Sequence, residues 1–162
     1  MIVRVYKPRD TDQVAKLMAD FRVTLSALRG IEREPDLEAA RDELAGYIPP
    51  RFRIYVSESE AEIVGFLVCR IEDAVVWAES LYVIPTQRRT GIASRLYHEA
   101  ECLAEEAGSE TVYTWVHPNN DDMIRFLAER GYATINLIEI RGRRRGEKPK
   151  ATVRVNDYEF DY

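Results

Sequence analysis

The sequence predicts a mixed α/β (α+β) domain around a largely antiparallel sheet, and three observations predict it. β-rich runs alternate with apolar runs at helical spacing along the whole chain. The runs at 53–56 and 63–71 are joined by a short polar turn, which makes them antiparallel neighbours. Length and composition, 162 residues at 46% hydrophobic, suit one soluble core. The predicted order is β, α, α, β, β, β, α, β, α, β, β, with about four helices in one domain spanning 1–162.

Each element has a local cause. Ile2, Val3, Val5 and Tyr6 form a short strand that Pro8 ends. Asp10 or Thr11 can cap the helix marked by Val14, Leu17, Met18, Phe21, Leu25 and Leu28, and Gly30 stops it. Pro35-Asp36 opens a second helix with Leu37, Leu44 and Ile48 on its apolar side, ended by Pro49-Pro50. The hairpin 53–56 and 63–71 turns at Ser57-Glu58-Ser59-Glu60, and Glu72-Asp73 leads into the strand Ala74 to Ile84. Ile92, Leu96, Leu103 and Ala107 mark a helix that Gly108 closes. Thr111 to Val116 is a strand, Asn120 to Arg130 a helix and Ala133 to Ile140 a strand. Arg141 to Lys150 is a basic loop, and 151–162 is a terminal strand or hairpin turning at Asn156-Asp157.

Composition narrows the function. A net charge of -5 argues against nucleic acid as the main partner. No apolar run approaches the ~20 residues of a membrane-spanning helix, and the start of the chain reads as a strand rather than a signal peptide. Cys69 and Cys102 form no paired motif, so the expected setting is reducing and cytoplasmic. His98 and His117 have no partner at ligand spacing, so no metal site is expected, and Cys102 without a paired His is no nucleophile.

The chemistry concentrates at Arg88-Arg89-Thr90-Gly91-Ile92-Ala93, between the predicted strand 74–84 and the predicted helix 92–107. A strand, a basic glycine turn and a helix N-terminus form an anion cradle. Free N–H groups and the helix dipole favour negative charge there. Gly91 permits close approach, and Arg88 and Arg89 can neutralise phosphate oxygens. Glu79 is a carboxylate on an otherwise apolar strand, costly to bury without a task or partner.

Leu81-Tyr82-Val83-Ile84-Pro85-Thr86-Gln87-Arg88-Arg89-Thr90-Gly91-Ile92-Ala93 resembles the acetyl-CoA signature of the GCN5-related N-acetyltransferases (GNAT). Asn120 to Tyr132, NDDMIRFLAERGY, is similar to that family's later helix. The resemblance implies a sheet splayed between its fourth and fifth strands, with acetyl-CoA as co-substrate in the gap. It implies cofactor contacts from Gln87, Arg88, Arg89, Thr90, Gly91, Ile92 and Ala93. It further implies pantetheine pairing along the backbone of Leu81, Tyr82 and Val83, and a cofactor contact from Asn120, which is also good N-cap chemistry. Glu79 is the implied general base, expected to share a face with Leu81 and Val83; Ser80 on the other face could anchor a water. Where relatives usually carry a tyrosine acid, this chain has Leu127. Tyr132, also readable as a core aromatic, is the remaining candidate acid on that motif.

The implied activity is transfer of an acetyl group from acetyl-CoA to a primary amine in a ternary complex. Glu32, Glu34, Asp36, Glu38, Asp42 and Glu43 lie where relatives roof the acceptor, so a cationic amine, polyamine or basic peptide is expected. Leu127 keeps a second reading open, an acyl-CoA-binding or sensing module without catalysis. The basic loop leaves two further partners open, an RNA and a second subunit's acidic 32–43 region.

Overall fold

The computed structural model describes residues 1–162 apart from Glu147, Lys150 and Tyr162. It divides into two compact units, Met1–Phe126 and Leu127–Tyr162.

The first unit holds a five-stranded sheet in the order β1-β2-β3-β4-β5. The strands are β1 (Ile2–Val5), β2 (Phe52–Ser59), β3 (Glu62–Glu72), β4 (Val75–Val83) and β5 (Val112–Tyr113). The first four are antiparallel, and β5 runs parallel to β4. The helices are α1 (Thr11–Leu28), α2 (Leu37–Ala45), α3 (Ile92–Glu106) and α4 (Asp121–Glu129), the last reaching into the second unit. This is the mixed, mostly antiparallel architecture with four helices that the element order predicts.

Two faces of the sheet are covered. Val14, Met18 and Phe21 of α1 and Ala40 and Leu44 of α2 pack on Ile54, Val56, Phe66, Val68 and Tyr82. Successive residues on β3 point to opposite faces, so Leu67 and Cys69 face the other way. The fully buried Leu96 and Ala100 of α3 supply that second layer. A Cβ at Gly65 would stand 2.9 Å from the Tyr82 carbonyl oxygen and 3.3 Å from Leu96, so glycine lets α3 lie close to the sheet. Cys69 is fully buried in the core, and that burial pushes its thiol up to about 12.

Several boundaries differ from expectation for physical reasons. The hairpin turns sit at Glu60-Ala61 and Asp73-Ala74, all four residues at positive φ, so Ser57, Glu58 and Ser59 extend β2. Two consecutive left-handed residues match the strand twist, and this sets the turn position. Asp10 occupies the α1 N-cap position without capping it, because its carboxylate accepts from Arg4 and from the Lys7 N–H. Asp36 does cap α2, accepting from the Ala39 N–H at 2.9 Å. Ile48 lies past the end of α2 and is exposed.

In the second unit β6 (Thr152–Val155) and β7 (Tyr158–Asp161) form the expected terminal hairpin, turning at Asn156 with φ 55°. The predicted strand at 133–140 is absent: those residues form no ladder among the described residues. Ile135 and Leu137 fall on one side of an extended chain and Ile138 and Ile140 on the other, all exposed, so no single face rewards pairing. Within the basic loop, Glu147 and Lys150 lie outside the described residues.

Candidate active site

β4 pairs with β5 only at Val76↔Val112 and Trp77↔Tyr113, although β4 continues to Val83. Beyond those pairs, the Thr114 hydroxyl reaches the Ala78 carbonyl at 3.0 Å. The ladder then stops, which is the expected opening between the fourth and fifth strands. At its end, Pro85–Gln87 makes one turn of 3-10 helix, and the chain swings into α3 through Arg89 at φ 62° and Gly91 at φ 83°. Gly91 is the α3 N-cap residue, so no side chain caps the helix. A Cβ at Gly91 would enter open space, with nothing within 4 Å. The first N–H groups of α3 therefore have no side-chain cap and lie beside that space, in the loop where the sequence places an anion cradle.

The two arginines of the cradle are committed differently. Arg88 Nε donates to the Val83 carbonyl at 3.1 Å, and its guanidinium lies 5.6 Å from the Tyr82 ring centroid. It thus ties the loop to the end of β4. Arg89 is largely exposed and pairs with Asp122 on α4 at 3.2 Å. The Thr90 hydroxyl donates to the Gln87 carbonyl at 2.7 Å, closing the turn. Ile92 is buried, whereas Ala93 is partly exposed on the same first turn. Leu81 is partly exposed; Tyr82 is a core side chain against Phe21 and Phe66.

Glu79 sits at an irregularity. Val68 pairs with Ser80 and Cys69 with Ala78, so Glu79 is an extra residue in β4, a β-bulge. The bulge moves it out of phase with Leu81 and Val83, correcting the face expected from simple alternation. Its carboxylate bonds the Arg70 guanidinium, and Arg70 shares the face of Phe66 and Val68, the face covered by α1 and α2. Arg70 also bonds Glu72 and stacks on Trp77 and Trp115.

Ser80 is 4% exposed and interacts with the Tyr47 phenol. Tyr47 in turn donates to Glu43 at 2.6 Å, and Arg22 Nε donates to Glu43 at 2.8 Å. Burial and the neighbouring carboxylate push the Tyr47 phenol up. For Glu43, burial acts upward, but the bonds from Arg22 and Tyr47 together hold its carboxyl below the ordinary value. A polar chain from α1 through α2 therefore ends beside the β4 bulge. The acidic region 32–43 is partly structural: Asp36 caps, Glu43 pairs, and Arg41 bonds Asp12. Glu32 and Glu34 line a groove of about 450 Å³ with Val23, Ala27 and Ile31.

The later motif is read by its caps. Asn120 accepts from the Met123 N–H at 3.2 Å, an N-cap bond for α4. At the other end, Gly131 at φ 86° donates to Ala128, and the Tyr132 N–H donates to the Leu127 carbonyl at 3.0 Å, a Schellman cap. Leu127 is 6% exposed and Tyr132 half-buried.

The structure also brings Cys102 Sγ to 3.6 Å from His98 Nε2, one turn apart on α3, a contact not foreseen from the sequence. Burial and then Glu99, Glu105, Glu101 and Glu106 hold that thiol above its ordinary range, which works against a thiolate nucleophile. Among the described residues no group of His, Cys, Asp or Glu is placed to hold a metal ion. No helix among them is long and apolar enough to cross a membrane.

The profile of the acetyltransferase (GNAT) family matches residues 15–132. The chain belongs to that family. Solved structures of similar fold include a mutant of the BH1408 protein from Bacillus halodurans, with a TM-score of 0.74 at 20% identity, covering 87% of this chain and 99% of that one. An aminoglycoside 6′-N-acetyltransferase in complex with a CoA-linked bisubstrate analogue matches with a TM-score of 0.65 at 16% identity, over 88% of this chain and 97% of that one. A ribosomal-protein-alanine N-acetyltransferase from Brucella melitensis biovar Abortus matches with a TM-score of 0.66 at 19% identity, over 88% and 99%. At such identities the likeness is one of fold. No curated protein sequence matches this GNAT chain significantly. Arg70, which bonds the candidate base in this GNAT fold, Trp115, which stacks on Arg70, and Tyr47, which meets Ser80, carry no motif in the sequence.

Proposed function

We propose that this GNAT chain, read as one acetyltransferase-like domain over 1–162, transfers an acetyl group from acetyl-CoA to a primary amine by direct attack. The observation that carries the reading is the uncapped α3 N-terminus at Gly91, beside the unladdered edge of β4. Those features fit the cofactor: N–H donors and Arg89 suit a pyrophosphate, with Gln87, Thr90, Ile92 and Ala93 shaping the turn. The backbone of Leu81, Tyr82 and Val83 suits the pantetheine arm, as an added strand would pair. Asn120 caps α4 and can also contact the cofactor. Acetyl-CoA supplies the thioester, so the amine nitrogen gains the acetyl carbon as the C–S bond breaks.

The chain's own residues must neutralise and place the amine. Glu79 is the proposed base, its carboxylate fixed by Arg70. Ser80, buried beside the Tyr47 phenol, is the proposed anchor for a water. Tyr132 remains the proposed acid of the later motif; a thiolate leaves readily enough for its help to be modest, up to about 10²–10⁴ in rate. The family likeness and the charge of the 32–43 region support a cationic amine, in a cytoplasmic setting. No metal has a role in this reading, and homodimer formation through the basic loop is a subsidiary part of it.

A second reading, acyl-CoA binding without catalysis, is favoured by Leu127 and by the pairing of Glu79 with Arg70. Calorimetric titration with acetyl-CoA and transfer to a panel of amines separate the two. Binding with transfer supports the enzyme; binding with no transfer to any amine supports the module. No binding overturns both.

A further inference from the structure

Where β4 meets β5, two indoles stack on one guanidinium and a third ring, Tyr113, packs on the first of them. Trp77 lies 5.1 Å from Tyr113 and 4.9 Å from Trp115, centroid to centroid. Arg70 Cζ stands 5.1 Å from the Trp77 centroid and 5.6 Å from that of Trp115, while its nitrogens bond Glu79 and Glu72. The Arg70 side chain is only 12% exposed, whereas Trp115 is 70% exposed.

Trp77 already gives Arg70 a cation–π partner, so holding that cation does not call for a second indole left so open to water. The bond from Arg70 goes to Glu79 Oε1, which leaves Oε2 for another donor. The Trp115 ring and the Glu79 carboxylate touch the same guanidinium, so they lie within about 10 Å of each other. A short amine can span both. Arg70 also displays what this surface recognises, because it is itself a flat cation held between rings and carboxylates.

We infer that the acceptor amine is carried on a flat π-bearing group, an aromatic ring or a guanidinium, which stacks on Trp115 while the amine meets Glu79. This rests on the proposal that Glu79 serves the acceptor. The preference is distinct from general attraction of cations by the acidic 32–43 region, since an aliphatic amine of equal charge would answer to that region equally well.

The test titrates the CoA-loaded protein with charge-matched pairs: 2-phenylethylamine against n-hexylamine, and agmatine against 1,5-diaminopentane. The flat member of at least one pair should bind about five- to thirty-fold tighter. The arm that shows the preference tells ring from guanidinium. Trp115→Ala and Trp115→Leu should both reduce that ratio to near one, leaving the affinity for acetyl-CoA and the melting temperature unchanged. Leucine keeps apolar bulk without the π face, so a ratio that survives in it overturns the inference. Equal affinities within both pairs in the wild type, or no amine bound, overturn it too. Loss of acetyl-CoA binding would strike the acetyl-transfer reading instead; intact acetyl-CoA binding without a flat-amine preference strikes only the role of Trp115.

Discussion

At Gly91 the backbone sits at φ 83° beside open space, and both facts bear on substitution. Gly91→Val should keep the fold at a cost of about 1–2 kcal/mol for the left-handed conformation. It should weaken CoA binding roughly tenfold or more, since its side chain would project where donors meet the ligand. Calorimetry on the variant measures this, and unchanged affinity would remove the cradle from the site. Glu79→Gln should lower turnover by about 10²–10⁴ with little change in the KM for acetyl-CoA. The loss should ease at high pH, where more amine is already neutral; an unaltered pH–rate profile would exclude Glu79 as the base. The loop 87–93 and Glu79 were legible in the sequence because glycine, arginine and an isolated strand carboxylate are local signals. The return of Arg88 to Val83 and the grip of Arg70 on Glu79 were not, since both depend on where strands turn and which face a side chain takes.

Among the elements, the two hairpins joining β2 to β3 and β3 to β4 carry a shared cost. Ala61 at φ 66° and Ala74 at φ 65° hold conformations that glycine adopts freely. Ala61→Gly and Ala74→Gly should each stabilise the protein by about 0.5–1 kcal/mol, part of the relief being offset by a more flexible unfolded chain. Thermal melts of the single variants check this, and a lowered melting temperature at both sites would contradict the turn geometry. The sequence placed the first turn at Ser57–Glu60 because its residues are polar. In fact the twist of the strands selected Glu60-Ala61, and polarity alone did not reveal that. The strand expected at 133–140 shows the converse failure: Ile135, Leu137, Ile138 and Ile140 have strand propensity, but propensity needs a neighbouring ladder to become a strand.

Across the whole molecule, acid stability draws on carboxylates held in their charged form, Glu43 among them and the more deeply buried Asp10 first. Arg4 bonds Asp10 at 2.7 and 2.8 Å, and with the Lys7 N–H it holds that carboxyl below its ordinary value. A group with a depressed folded pKa stabilises the native state above its unfolded pKa, near 4. That contribution disappears as the pH falls through the folded value. Urea melts should therefore show stability declining below about pH 4. Asp10→Asn should cost about 3 kcal/mol at neutral pH by leaving Arg4 half-paired, and it should flatten the acid decline. A variant with the wild-type acid profile would show that other carboxylates govern it. The fold class and the order of most elements were legible because they rest on periodicity. Asp10 was legible only as a helix cap, because its partner Arg4 lies on the opposite side of a turn that no pattern announces.

If Glu79 is the base proposed above, its bulge separates what the chain needs in order to fold from what it needs in order to act. With that residue excised, Ser80 would still oppose Val68 and Ala78 would still oppose Cys69, and every other side chain of β4 would keep its present face. A one-residue deletion there should therefore keep the register of β4 and cost mainly the bond to Arg70, lowering abundance only in part while being fatal in a screen for acetyl transfer. Deletions at Ala78 or Ser80 would discard packed side chains and should fail in both. Scanning single-codon deletions along β4 would then mark the proposed catalytic residue as the one position where the two readouts part company.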